Sequence, residues 1–150
     1  MSNYKINVET ILPLKKLKKR KMKQIAESVL AAETVAGADI TIILVDDAYI
    51  TKLNKEFMNQ NDTTDVISFH LENNQNNNFI EGEIYANVNQ IEQQALDFGV
   101  SYDNELHRIV IHGLLHLVGY NDATLDEKET MTTKEDDYLA MLTNQINKGG

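Results

Sequence analysis

Polar and apolar residues alternate at the start of the chain. From Asn3 to Glu9, Tyr4, Ile6 and Val8 fall on one side, the two-residue period of a short strand. The period then lengthens. Pro13 suits the first turn of a helix. From Leu14 to about Glu33, Leu14, Leu17, Met22, Ile25 and Val29 share one helical sector, with Lys16, Lys19, Arg20 and Lys23 opposite; Gly37 offers a stop. Asp39 to Val45 is rich in β-branched residues and reads as a buried strand. Asp46 and Asp47 can cap a short helix running through Phe57, and the polar loop Asn59 to Thr64 leads to a third strand, Asp65 to His70. The Asn- and Gln-rich run Asn73 to Asn78 reads as a hairpin tip, with Glu81 to Val88 as the returning strand. Asn89 to Phe98 looks helical and ends at Gly99. Ser101 then opens a helix whose first turn carries Asp103 and Glu105, and which runs to Val118 and stops at Gly119. A last helix covers about Asp126 to Leu142. The order β, α, β, α, β, β, α, α, α predicts an α/β (α+β) fold, a small mixed sheet of about four strands covered by about five helices. No repeat or linker interrupts it, so residues 1–150 are expected to form a single domain.

Composition narrows the chemistry. The chain is 42% hydrophobic and 25% charged with one proline, ordinary for a globular protein, and contains no cysteine. Disulfides and thiolate metal sites are therefore excluded, and any metal must be held by His, Asp and Glu. No apolar run approaches the roughly 18 residues of a membrane helix. Met1 to Leu12 lacks the charged start and apolar stretch of a secretory signal, so a cytoplasmic location without membrane partners is expected. The net charge of −9 argues against nucleic acid until its distribution is considered. Lys15, Lys16, Lys18, Lys19, Arg20, Lys21 and Lys23 are seven of the fourteen basic residues, leaving seven against twenty-three acidic residues elsewhere. Such a strip is either a solvated helix face or a local site for a polyanion.

The segment Glu105 to Val118 is apolar nearly all round, which marks a buried helix. His112 and His116 lie four residues apart on it, so both rings project from one face and can ligate one ion. Gly119 permits the positive-φ turn that folds the chain back, and Asp122 can close a third corner. Two histidines and a carboxylate leave a fourth tetrahedral position open, the arrangement of catalytic rather than structural zinc. The alternative is a pair of core histidines satisfied by backbone carbonyls, with Gly119 a simple helix stop. The spacing also matches one arm of the metzincin proteases, but position 113, where those enzymes carry the general-base glutamate, is Gly113.

The run His112-Gly-x-Leu-His116-Leu-x-Gly-Tyr120, followed by Glu127 and Met131, resembles the signature of the YbeY family. Leu53-Asn54, Thr64-Asp65-Val66-Ile67-Ser68-Phe69, Gly82-Glu83-Ile84 and Gln94-Ala95 agree with it, so the likeness spans about Ile40 to Leu142. The resemblance implies a zinc-dependent, single-strand-specific endoribonuclease of ribosomal RNA maturation and ribosome quality control. Its implied partners are rRNA precursors and the ribosome or ribosome-associated proteins, with no DNA expected. Asp122 stands where the family usually has a third histidine, Met58 where it commonly has an arginine, and Arg108 where a histidine is often found.

Arg108 lies one helical turn before His112 and can point a bidentate donor at a phosphate held near the metal; equally, it can pair Glu105 or another carboxylate. The expected machinery is thus His112, His116 and Asp122 on the metal, Arg108 on the phosphate, and Lys16, Lys19, Arg20 and Lys23 along the RNA backbone. His70 and His107 read as a strand-end surface residue and a helix-flank residue. Three rival readings are a non-catalytic, zinc-stabilised ribosome-assembly factor, a metallopeptidase-like hydrolase weakened by Gly113, and a purely structural metal site, for which Glu127 is the extra ligand candidate.

Overall fold

Nine elements follow one another in the computed structural model: β1 (Tyr4–Thr10), α1 (Lys19–Ala32), β2 (Gly37–Val45), α2 (Asp47–Met58), β3 (Val66–Asn74), β4 (Phe79–Asn87), α3 (Val88–Phe98), α4 (Tyr102–Val118) and α5 (Leu125–Gly149). The structure describes residues 3–13, 17–59, 62–74 and 78–149, with side chains at all of these but 72–74 and 143–149. The strands form one mixed sheet in the order β1-β2-β4-β3. β1, β2 and β4 run parallel, and β3 returns antiparallel to β4 through the expected hairpin.

The two-residue period of the central strands divides the core. Ile40, Ile42 and Leu44 of β2, with Ile84 and Ala86 of β4, face α1 and α4 in the main core; Ile43, Val45 and Ile67 face Ile50 of α2 in a smaller one. Being buried on both faces explains the unbroken apolar run Ile42–Val45 in the second half of β2. Helix α4 is the pillar of the larger core. Its Leu106, Ile109, Val110, Ile111, Leu114, Leu115 and Leu117 are buried, and each contributes roughly 1.5–3 kcal/mol of gross hydrophobic stabilisation. Caps form where polar residues precede helices: Asp46 accepts from the Tyr49 amide and Ser101 from the Asn104 amide.

The first helix differs from expectation. It begins at Lys19, so Pro13 does not occupy its first turn, and Leu14, Lys15 and Lys16 lie outside the described residues. The physical reason lies before Pro13: Leu12, at the position that would have to cap a helix starting there, has no capping side chain, and its amide donates to Thr10 Oγ1 at 3.0 Å. The start at Lys19 is itself uncapped, with Lys19, Arg20 and Lys21 opposing the helix dipole. The helix also ends without help from Gly37. Thr34 takes the positive φ of 60°, while Gly37 belongs to β2, where a Cβ would meet the Phe79 ring at 2.9 Å. β3 and β4 extend to Asn74 and back to Phe79, further into the hairpin tip than their polarity suggests. α5 continues beyond Leu142 to Gly149 because no breaker precedes that glycine.

Helix α4 lies on the sheet at a glycine. A Cβ on Gly113 would stand 2.7 Å from the Ile84 Cγ2 methyl and 3.2 Å from Ser68 Oγ, which donates to the Gly113 carbonyl at 3.0 Å. Helix propensity alone gives Gly113→Ala a gain of about 1 kcal/mol. Packing reverses the sign: the substitution should destabilise the protein by about 1–3 kcal/mol, read from the urea midpoint. A stabilised variant would contradict the contact.

Candidate metal centre

Along α4 one stripe is polar. Glu105, Arg108, His112 and His116 follow at i, i+3, i+7 and i+11, so the helix is not apolar all round as its composition suggests. The stripe faces α5, which engages Arg108 and His112, the loop after α4, which engages His116, and α3, whose Gln94 donates to Glu105.

The histidines are oriented by their Nδ1 atoms. His112 Nδ1 lies 2.7 Å from Glu135 Oε2, and His116 Nδ1 lies 3.0 Å from the Tyr120 carbonyl oxygen. Both partners are acceptors, so each ring donates its Nδ1–H and, when neutral, presents a bare Nε2. The two Nε2 atoms stand 3.0 Å apart. Asp122 Oδ2 lies 3.2 Å from the first and 3.4 Å from the second. Three lone-pair bearers therefore converge, an arrangement that a proton or a metal ion among them stabilises. Bonds of roughly 2.0–2.1 Å about a tetrahedral zinc place neighbouring donors about 3.3 Å apart, so the donor set matches in chemistry and spacing. The side chains of His112, His116 and Asp122 are 20%, 28% and 41% exposed, so the cluster opens to solvent on one side.

The turn that brings Asp122 back is built as its glycine implies. Gly119 has φ 125°, and the amides of Gly119 and Tyr120 donate to the Leu115 carbonyl at 3.1 and 2.9 Å. Burial alone would lower the pKa of His112, but the Glu135 carboxylate on Nδ1, joined by Asp122 and Asp65, holds it above the ordinary histidine range. A dense negative field thus surrounds the ring before any metal is considered. Burial also pushes up the carboxyls of Asp65 and Glu105, which share the Gln94 amide at 3.3 and 3.1 Å.

Arg108 takes the pairing alternative, though not with Glu105. Its Nη1 lies 2.9 Å from Glu135 Oε1 and its Nη2 lies 2.6 Å from Asp136 Oδ1. Glu135 is consequently a bridge, one oxygen on Arg108 and the other on His112. Nothing in the sequence reading singled it out. The available signal was its place on α5: Met131, Glu135, Tyr138 and Leu142 are spaced at four, three and four and are all buried, so an acid sits in an apolar stripe.

The other candidates lie apart. Lys19 and Arg20 are exposed and Lys23 half-buried on α1; Lys16 falls outside the described residues. His70 is exposed on β3. His107 lines an apolar cavity of about 470 Å³ with Leu17, Met22, Leu44 and Leu106. Burial pushes its pKa down, and it points about 140° around α4 from His112. Met58 ends α2, half exposed.

The model of the family described as Endoribonuclease YbeY matches residues 5–143. The chain belongs to the YbeY family. An Endoribonuclease YbeY of Flavobacterium johnsoniae is 39% identical over 115 residues, 77% of this chain and 81% of that protein. One from Petrotoga mobilis is 37% identical over 140 residues, 92% and 95% of the two chains. A solution structure of a Thermotoga maritima protein superposes with a TM-score of 0.68 at 28% identity, covering 96% of this chain and 93% of that one. Within this YbeY-family fold, His112, His116 and Asp122 are the residues that can hold a metal ion among those described.

Because Glu135 sets the tautomer and orientation of His112, Glu135→Gln should weaken zinc binding by roughly 10–100-fold in chelator competition. Asp136→Asn, which touches Arg108 and no histidine, should change it by less than about 2-fold. Equal losses in the two variants would contradict the assigned role of Glu135.

Proposed function

We propose that this protein is a zinc-dependent, single-strand-specific endoribonuclease that acts on rRNA precursors in ribosome maturation and quality control in the cytoplasm. The observation that carries the reading is the solvent-open convergence of His112, His116 and Asp122 in a chain of the family described as Endoribonuclease YbeY. Among the described residues no helix is long and apolar enough to cross a membrane, in keeping with an aqueous polymer substrate.

When bound, the metal supplies Lewis acidity toward a phosphoryl oxygen. The protein's own residues do the rest. Glu135 and the Tyr120 carbonyl hold the two imidazoles with Nε2 facing inward. Arg108 keeps one guanidinium nitrogen on Glu135; its other partner, Asp136, is 59% exposed and is the contact a phosphate replaces as charge develops on it. Lys19, Arg20 and Lys23, with Lys16, hold the RNA backbone by phosphate contacts and not by base readout. The placement of that strip supports this role, since cations at a helix N-terminus lower stability and a polyanion offsets the cost. Lys18 ties it to Asp103 at 2.9 Å, nine residues before His112, so backbone contacts begin about 14 Å along α4 from the metal ligands.

A peptidase reading loses its base physically as well as chemically, because the position 113 backbone lies against Ile84 with no room for a side chain. A non-catalytic ribosome-assembly factor remains the second reading, favoured by Met58 at the position where the family commonly carries arginine. Labelled single-stranded RNA, incubated with zinc-loaded protein beside its duplex form, separates the two. Cleavage of the single strand alone, abolished in Asp122→Ala, supports the enzyme; binding with no cutting above the Asp122→Ala level sinks it in favour of the assembly factor. Replacing Lys19, Arg20 and Lys23 with Gln should weaken RNA binding uniformly and reduce the salt slope by about 2–3.

A further inference from the structure

One residue joins two metal ligands. Tyr120 follows the helix stop at Gly119, its carbonyl accepts the Nδ1–H of His116, and Asp122 lies two residues further on. Its hydroxyl donates at 2.7 Å to Oε1 of Glu33, the residue that caps the C-terminus of α1. The other oxygen of Glu33 accepts from Lys134 Nζ at 3.1 Å and from the Tyr138 hydroxyl, both on α5. The Lys134 ammonium also lies 5.4 Å from the Tyr120 ring centroid, so the ring is held at its face and at its tip.

Glu33 is a carboxylate with 7% of its side-chain surface exposed and three donors from two directions. Burying a charge is costly, and an apolar contact between α1 and α5 would tie the helices at least as firmly. What an apolar contact cannot do is fix the phenol of Tyr120 in one direction. The turn after α4 has no regular structure of its own from Tyr120 to Ala123, and the Tyr120 carbonyl must stay within hydrogen-bond range of His116 for that ring to aim at the metal.

We propose that Glu33 is a positioning residue for the metal centre, acting through Tyr120 to set both His116 and Asp122, although it touches neither. The inference rests on the metal reading above. It separates Glu33 from ordinary helix glue, because Tyr120 and Tyr138 each give one hydroxyl to the same carboxylate but Tyr120 alone also holds a ligand.

The test is zinc affinity by chelator competition and the visible absorption of the cobalt(II)-substituted protein, for Tyr120→Phe, Tyr138→Phe, Glu33→Gln and the double variant Glu33→Gln/Tyr120→Phe. Tyr120→Phe should lose roughly 10-fold in zinc affinity and shift the cobalt bands, whereas Tyr138→Phe should stay within about 2-fold with unchanged bands. Glu33→Gln should match Tyr120→Phe, and the double variant should be no worse than either, because all act on one path. If Glu33→Gln does not fold, the two tyrosine variants decide. Unchanged affinity in Tyr120→Phe, or equal losses in the two tyrosine variants, overturns the proposal while leaving the metal site standing. A wild-type protein that binds no zinc overturns the metal reading, and this inference with it.

Discussion

Helix α4 meets two demands along the same seventeen residues. Most of its surface is buried against the sheet and α1, closely enough at Gly113 that a methyl group would collide with Ile84. Its remaining stripe carries an acid, an arginine and two histidines into a cleft closed by α5 and the loop after Gly119. The packing face holds the helix in one rotation and one register on the sheet. That rigidity permits two imidazole nitrogens and one carboxylate oxygen to stay within 3.0–3.4 Å of one another.

The residues behind the ligands follow from the same requirement. An imidazole ring on a helix can turn about its side-chain bonds and present either nitrogen, so each histidine has a fixed acceptor on its far side. For His112 the acceptor is Glu135, itself tethered by Arg108; for His116 it is a main-chain carbonyl, tethered through the Tyr120 side chain to Glu33. The two tethers come from opposite ends of the sequence, α1 and α5. The site is thereby coupled to the assembly of the whole domain, although its three ligands span only residues 112–122.

Much of this was legible in the sequence. β2 announced itself by β-branched residues, α4 by its length and apolarity, and the cluster of His112, His116 and Asp122 by two histidines at helical spacing followed by a glycine turn and an acid. These are local patterns, set by periodicity and by the conformational freedom of one glycine. The start of α1 was misplaced because a proline's preference for a first turn supplies no cap, and Leu12 before Pro13 has none to give. Glu135 and Glu33 were missed for a different reason. One is among three consecutive acids at 135–137 and the other simply ends the first helix, and their partners lie 23 and 87 residues away. Only the placing of Glu135 in the stripe of Met131, Tyr138 and Leu142 distinguishes it from its neighbours, and nothing local distinguishes Glu33. Arg108 was placed on the correct face, but its engagement with Glu135 and Asp136 depends on how α5 crosses α4, which spacing along α4 cannot reveal.

The proposed metal centre depends on His112, His116 and Asp122 converging on one cation. Native mass spectrometry of the protein purified with zinc, beside its His112→Ala, His116→Ala and Asp122→Ala variants, reads that claim without reference to any activity. One zinc per wild-type chain and its loss from each variant is the predicted result. Zinc retained at full stoichiometry in the variants, or absent from the wild type, would contradict it.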